Sequence, residues 1–164
     1  MSTSRASFTF ALLALAVMAC TVKEEADPPQ VAFDVQFPSA QAAAYTENVK
    51  VWAFAGGSCA DLIRLRQTGQ ALPAAVAETA LITPCQLWSG ADNTFDLPLS
   101  QEYAFLAVGQ VGAKDVFIGC SSERAFGSTK AMPISLTFID NLQSMGKTTC
   151  TKLSDKCAQP ARCN

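Results

Sequence analysis

What most constrains the fold of this chain is a set of short apolar runs that alternate with polar or small residues. Val31-Ala32-Phe33-Asp34-Val35-Gln36-Phe37 is stopped by Pro38, and Val49-Lys50-Val51-Trp52-Ala53-Phe54-Ala55 is closed by Gly56-Gly57. Asn93–Leu97, Tyr103–Gly109, Val116–Cys120 and Pro133–Phe138 follow, and a further strand fits near Thr79–Thr83. A period of two places alternate side chains on one face of a strand. Runs this short, bounded by Gly, Pro, Asn and Asp, read as strands. Gln110-Val111-Gly112-Ala113-Lys114, between two apolar runs, suits a hairpin loop. The expectation is an all-β fold, a single Greek-key β-sandwich of about seven strands. Cys59–Gln67 fits either a helical turn or, at Ile63-Arg64-Leu65-Arg66, a strand. A short helical insertion is preferred, because Ser58 is placed to cap it and Gly69 to follow it. Ala71–Ala77 reads as an irregular insertion.

Ahead of the first strand stand one basic residue, Arg5, an apolar run from Phe8 to Ala16, and then Val17-Met18-Ala19-Cys20. A short basic region, about a dozen apolar residues and small residues at a cleavage point make a secretory signal. Its ending resembles the lipobox of bacterial lipoproteins. That resemblance implies that the Cys20 thiol receives a diacylglycerol, that the signal is cut before it, and that the new N-terminus is acylated. The apolar run falls short of the ~20 residues of a spanning helix. The expected partner is therefore the lipid bilayer, held through acyl chains at about 0.8 kcal/mol per buried methylene. The chain then divides into a cleaved signal peptide (1–19), a lipidated N-terminus and tether (20–30), and one β-sandwich domain (31–164). The tether is charged, poor in apolar residues and broken by Pro28-Pro29. The expected location is the bacterial envelope, anchored by lipid to the cell membrane or the outer membrane.

Beyond Cys20 there are six cysteines: Cys59, Cys85, Cys120, Cys150, Cys157 and Cys163. An even number in an exported chain reads as a disulfide framework, with 15 possible pairings. Three lie in the body and three in the tail, so full pairing requires at least one bridge from body to tail. The preferred set is Cys59–Cys85, Cys120–Cys150 and Cys157–Cys163, giving a disulfide-linked C-terminal tail. A metal or redox role is disfavoured, because the chain has no Cys-x-x-Cys and no histidine.

Missing histidine also removes Ser-His-Asp and Cys-His nucleophiles. Ser128-Thr129-Lys130 and Ser154-Asp155-Lys156 put serine beside lysine without an S-x-x-K helix start, and read as surface triplets. Asp92, Asp96, Glu102 and Asp115 are the carboxylates a glycosidase would draw on, but read as turn and strand-edge solvation. Asp92, Asn93 and Asp96 are the candidate Ca²⁺ ligands, against a simpler reading as a turn. Without the signal, 11 of the chain's 12 basic residues face 14 acidic ones, a net of −3. With charge so scattered, no basic face invites nucleic acid. Trp88, read as lying in a loop beside a disulfide, is the candidate contact for a sugar ring or a partner protein. Arg64 and Arg66 are a candidate cationic contact, otherwise solvated helix charges. Trp52, Tyr103, Phe105 and Phe117 read as core.

Phe95-Asp96-Leu97-Pro98-Leu99-Ser100-Gln101-Glu102-Tyr103-Ala104-Phe105-Leu106-Ala107-Val108 resembles the F-x-L-P-x-G-x-Y-x-F-x-A signature of carboxypeptidase-regulatory-like and transthyretin-like sandwiches. Ser100-Gln101 stands where that signature has its glycine. The resemblance implies a strand, a tight turn and a second strand whose tyrosine packs inward. It also implies a domain that attaches, braces or binds sugars and proteins without turnover. The expected function is a membrane-anchored envelope lipoprotein that binds a protein or glycan, with no cofactor. The alternatives are a structural envelope domain without a discrete ligand, or a hydrolase.

Overall fold

A computed structural model of the protein describes residues 30–99, 101–124, 131–140 and 150–163. The signal peptide, Cys20, the tether up to residue 29, Ser100 and Ser128-Thr129-Lys130 lie outside the described residues. In chain order the elements are β1 (Gln30–Gln36), α1 (Ala40–Tyr45), β2 (Asn48–Ala55), α2 (Cys59–Gln67), β3 (Ala77–Glu78) and α3 (Pro84–Trp88). Then come β4 (Thr94–Asp96), β5 (Glu102–Val111), β6 (Lys114–Arg124), β7 (Met132–Ser135), β8 (Thr137–Phe138) and α4 (Leu153–Lys156). Strands dominate and form two sheets, one ordered β4-β1-β7 and the other β3-β2-β5-β6-β8. The helices are few and short, as the alternating runs imply.

Alternation sorts the side chains of the larger sheet. Val49, Val51 and Ala53 of β2 join Tyr103, Phe105 and Ala107 of β5 on one face, where Val31, Phe33, Phe95, Met132 and Ile134 of the smaller sheet meet them. Phe54, Ala104, Leu106, Val108 and Ile118 point the other way and are covered by Leu62 of α2. β5 is therefore buried on both faces, which is why Tyr103–Val108 is apolar without a break. Each such aromatic or branched side chain contributes about 1.5–3 kcal/mol on burial.

β5 and β6 form the expected hairpin, turning at Gly112 with a φ of +58°. The Gly112 N–H donates to the Glu47 carboxylate at 2.8 Å. The expected strand Pro133–Phe138 is divided at Leu136. β7 pairs in parallel with β1 in the smaller sheet, and β8 pairs antiparallel with β6 in the larger one. The chain thus crosses between sheets, and it does so over Gly119 of β6. A Cβ at Gly119 would run into the Ser135 carbonyl, so only glycine lets the two backbones approach.

The strand expected near Thr79–Thr83 sits earlier, at Ala77–Glu78, and reaches Ile82 only as an isolated bridge to Val49. The helix α2 covers the expected residues and ends before Gly69, whose φ is +68°. Ser58 is its N-cap but makes no side-chain cap hydrogen bond; Asp61 in the first turn supplies the favourable charge instead. The helix α1 lies where the sequence shows no helical spacing, and Ser39 caps it by accepting from the Ala42 N–H at 3.0 Å.

The observed disulfides are Cys59–Cys120, Cys85–Cys157 and Cys150–Cys163. None of the three preferred pairs forms. The helix α2 lies on the larger sheet, which sets Cys59 against Cys120 of β6, and α3 lies beside α4, which sets Cys85 against Cys157. The bridge from body to tail is Cys85–Cys157. Three such bridges belong to an oxidising, exported environment. Among the described residues, no helix is long and apolar enough to cross a membrane.

Candidate functional site

Trp88 ends α3, a helix rather than the expected loop, and its local sequence explains why. In Thr83-Pro84-Cys85-Gln86, the Thr83 Oγ1 accepts from the Gln86 N–H at 3.2 Å, while the Gln86 Oε1 accepts from the Thr83 N–H at 2.8 Å. This reciprocal capping box, with proline at the first turn, fixes the start of the helix. Thr-x-x-Gln was the legible signal for it. Trp88 is 63% exposed and does not cap the core.

Beside Trp88 runs a groove of about 140 Å³ between α3, the start of α4 and residues 33–37 of β1 and just beyond it. Leu87 and Trp88 form one wall, Leu153 another, and Phe37, Asp34 and Asn93 complete it. Both helices at the groove are tied down. Cys85 of α3 is bonded to Cys157, which caps the C-terminus of α4. The Lys156 ammonium, also on α4, donates to the Ala44 and Thr46 carbonyls at 2.9 and 2.6 Å, seating the tail on the end of α1. Burial pulls the Lys156 pKa below its ordinary value, against the opposing pull of the Glu47 carboxylate. Lys156 is thus engaged with backbone carbonyls.

Asp34 projects from the exposed face of β1, where its carboxylate accepts from the Gln36 side-chain amide at 3.2 Å. The Asn93 backbone carbonyl accepts from the Phe33 N–H at 2.9 Å, which places its residue at the groove.

The candidate Ca²⁺ ligands are distributed over different surroundings. Asn93 lines this groove, whereas Asp92 lines a separate hollow of about 270 Å³ with Glu78 and Leu81. Asp96 stands on the exposed face of β4, opposite Gln30. Among the described residues, no group of three or more His, Cys, Asp or Glu side chains could hold a metal ion.

Arg64 and Arg66 lie apart from Trp88, on α2 over the larger sheet. Arg66 is not a solvated charge: its Nε and Nη2 donate to the two Asp115 oxygens at 2.6 and 3.2 Å, and Gln110 donates to Asp115 at 2.7 Å. The Arg66 guanidinium also lies 5.2 Å from the centre of the Trp52 ring, and Lys50 lies 5.6 Å from it. Trp52 is therefore half-buried under cations, whereas Tyr103, Phe105 and Phe117 are buried in the core as expected. Arg64 is exposed and, among the described residues, pairs with Asp61 at 3.4 Å.

The Tyr103 hydroxyl donates to the Pro98 carbonyl at 3.0 Å, and its ring is buried between the sheets. β4 belongs to the smaller sheet and β5 to the larger, and the Tyr103 ring packs inward between them.

No protein-family model matches the chain, and neither the curated proteins nor the solved structures provide a match.

Proposed function

We propose that this protein is an exported lipoprotein, anchored to the envelope through acylated Cys20, whose folded domain binds an envelope protein or glycan without turnover. The observation that carries this reading is Trp88, a large indole left exposed on a helix held by a capping box and a disulfide. An exposed tryptophan on a braced helix beside a groove is the side-chain type enriched at recognition hot spots. The absence of histidine and the single carboxylate among the described groove residues favour binding over catalysis. The scaffold is read as a Greek-key sandwich of the transthyretin-like kind, supported by the Tyr103–Pro98 hydrogen bond within the matching segment. Localisation to a membrane rests on the Val17-Met18-Ala19-Cys20 sequence.

Capture from crosslinked envelopes tests the reading. The chain should enrich one component reproducibly, and Trp88→Ala should lose it while keeping the fold. Equal recovery by both proteins, or no enrichment at all, contradicts it and favours a purely structural envelope domain.

A further inference from the structure

We propose that the groove beside Trp88 is a subsite for one pyranose ring of a neutral or amine-bearing glycan; this rests on the binding-module reading above. The two faces of a pyranose ring differ from its rim. The faces carry C–H bonds with a slight positive charge, and the rim carries hydroxyls. An aromatic face is electron-rich and apolar, so it suits the first. Carboxylate and carboxamide groups, which accept and donate in pairs, suit the second. The groove offers both kinds of residue, since the exposed Trp88 lines it together with Asp34 and Asn93.

Size and charge narrow the ligand further. At about 140 Å³ the groove is smaller than the roughly 300–1,000 Å³ pockets of drug-sized ligands, and suits a single sugar ring. Asp34 is the one charged residue among the described residues that line it. With a carboxylate and no cation, the groove disfavours uronic acids, sulfated sugars and phosphates, and tolerates an amine. A protein partner would need about 800 Å² of surface, far more than this groove presents.

The backbone that presents the site is braced before binding: the Thr83–Gln86 capping box starts α3, and Cys85–Cys157 joins α3 to α4. The larger hollow near Leu81 lacks an exposed aromatic, and its Glu78 is already paired with Lys50 at 3.2 Å.

The test is a fluorescence titration of the mature chain, with Trp52→Phe leaving Trp88 as the single indole. The probes are the N-acetylglucosamine tetramer, cellotetraose and tetragalacturonate. The indole N–H NMR signal of Trp88 in the unsubstituted chain gives the same readout independently of that substitution. The expected result is saturable binding of at least one neutral tetramer, with a Kd on the order of 1 mM for a one-ring site. Trp88→Ala should weaken it about tenfold or more. Tetragalacturonate should not bind. No saturation with any tetramer at about 50 mM, an unchanged Kd in Trp88→Ala, or a preference for tetragalacturonate overturns the sugar assignment. If envelope capture through Trp88 persists in that case, the binding-module reading survives; if it too is absent, both fall.

Discussion

Cys85 is bonded to Cys157, and through that bond the helix that presents Trp88 is fastened to the helix that presents Leu153. Two sides of the groove therefore depend on one covalent link between the body and the tail. Replacing both cysteines by serine removes a constraint on a loop of 72 residues. In the chain-entropy account this costs about 4 kcal/mol. Chemical denaturation should show that loss, together with weaker envelope capture. The 13-residue loop of Cys150–Cys163 should cost less, about 3 kcal/mol.

Tyr103 is 2% exposed, and burial raises its pKa above the ordinary 10.0. The folded state therefore keeps the phenolic proton at pH values where the unfolded state loses it. The stability linked to Tyr103 is fully present below pH 10 and is lost as pH rises through the raised value. Tyr103→Phe gives up the hydrogen bond to Pro98, about 1 kcal/mol at neutral pH, and should flatten the alkaline loss. Denaturant midpoints measured from pH 8 to 11 check both effects.

Lys156 carries the opposite sign. Its pKa falls on folding, so between the lowered value and 10.5 the unfolded state holds more protons and stability rises with pH. Lys156→Met should remove that rise. At pH 7 the same substitution leaves the Ala44 and Thr46 carbonyls without this donor, costing about 1–3 kcal/mol.

Gly119→Ala places a methyl against the Ser135 carbonyl, where the chain crosses between the sheets. Backbone on both sides limits relaxation, and a cost of about 1–3 kcal/mol is expected. Thermal unfolding of the variant measures it. A Gly112→Ala variant, strained only by its φ of +58° and with open space around it, should cost about 1 kcal/mol.

The parts of the fold set by local pattern were legible. β1, β2, β4, β5 and β6 follow the alternating runs, and α2 follows Cys59–Gln67, because a strand or helix face is written in residue spacing. What depends on distant segments was not. Leu136 divides one apolar run between two sheets, and the run itself does not reveal which sheet each half joins. The disulfide pairs follow from α2 lying over β6 and α3 beside α4, neither of which is encoded in cysteine spacing. Trp88 stands out in the sequence as a candidate contact, but the groove beside it does not, because Asp34, Asn93 and Leu153 reach it from separate elements. The ion pair of Arg66 is invisible to local pattern because Asp115, its partner, lies 49 residues away.

The most direct test of the account is the intact mass of the protein taken from membranes, before and after reduction. The account predicts a chain that begins at Cys20, heavier by acyl chains, gaining about six mass units when three bridges open. A lipid-free chain that retains residues 1–19, or one whose mass is unchanged by reduction, would contradict it.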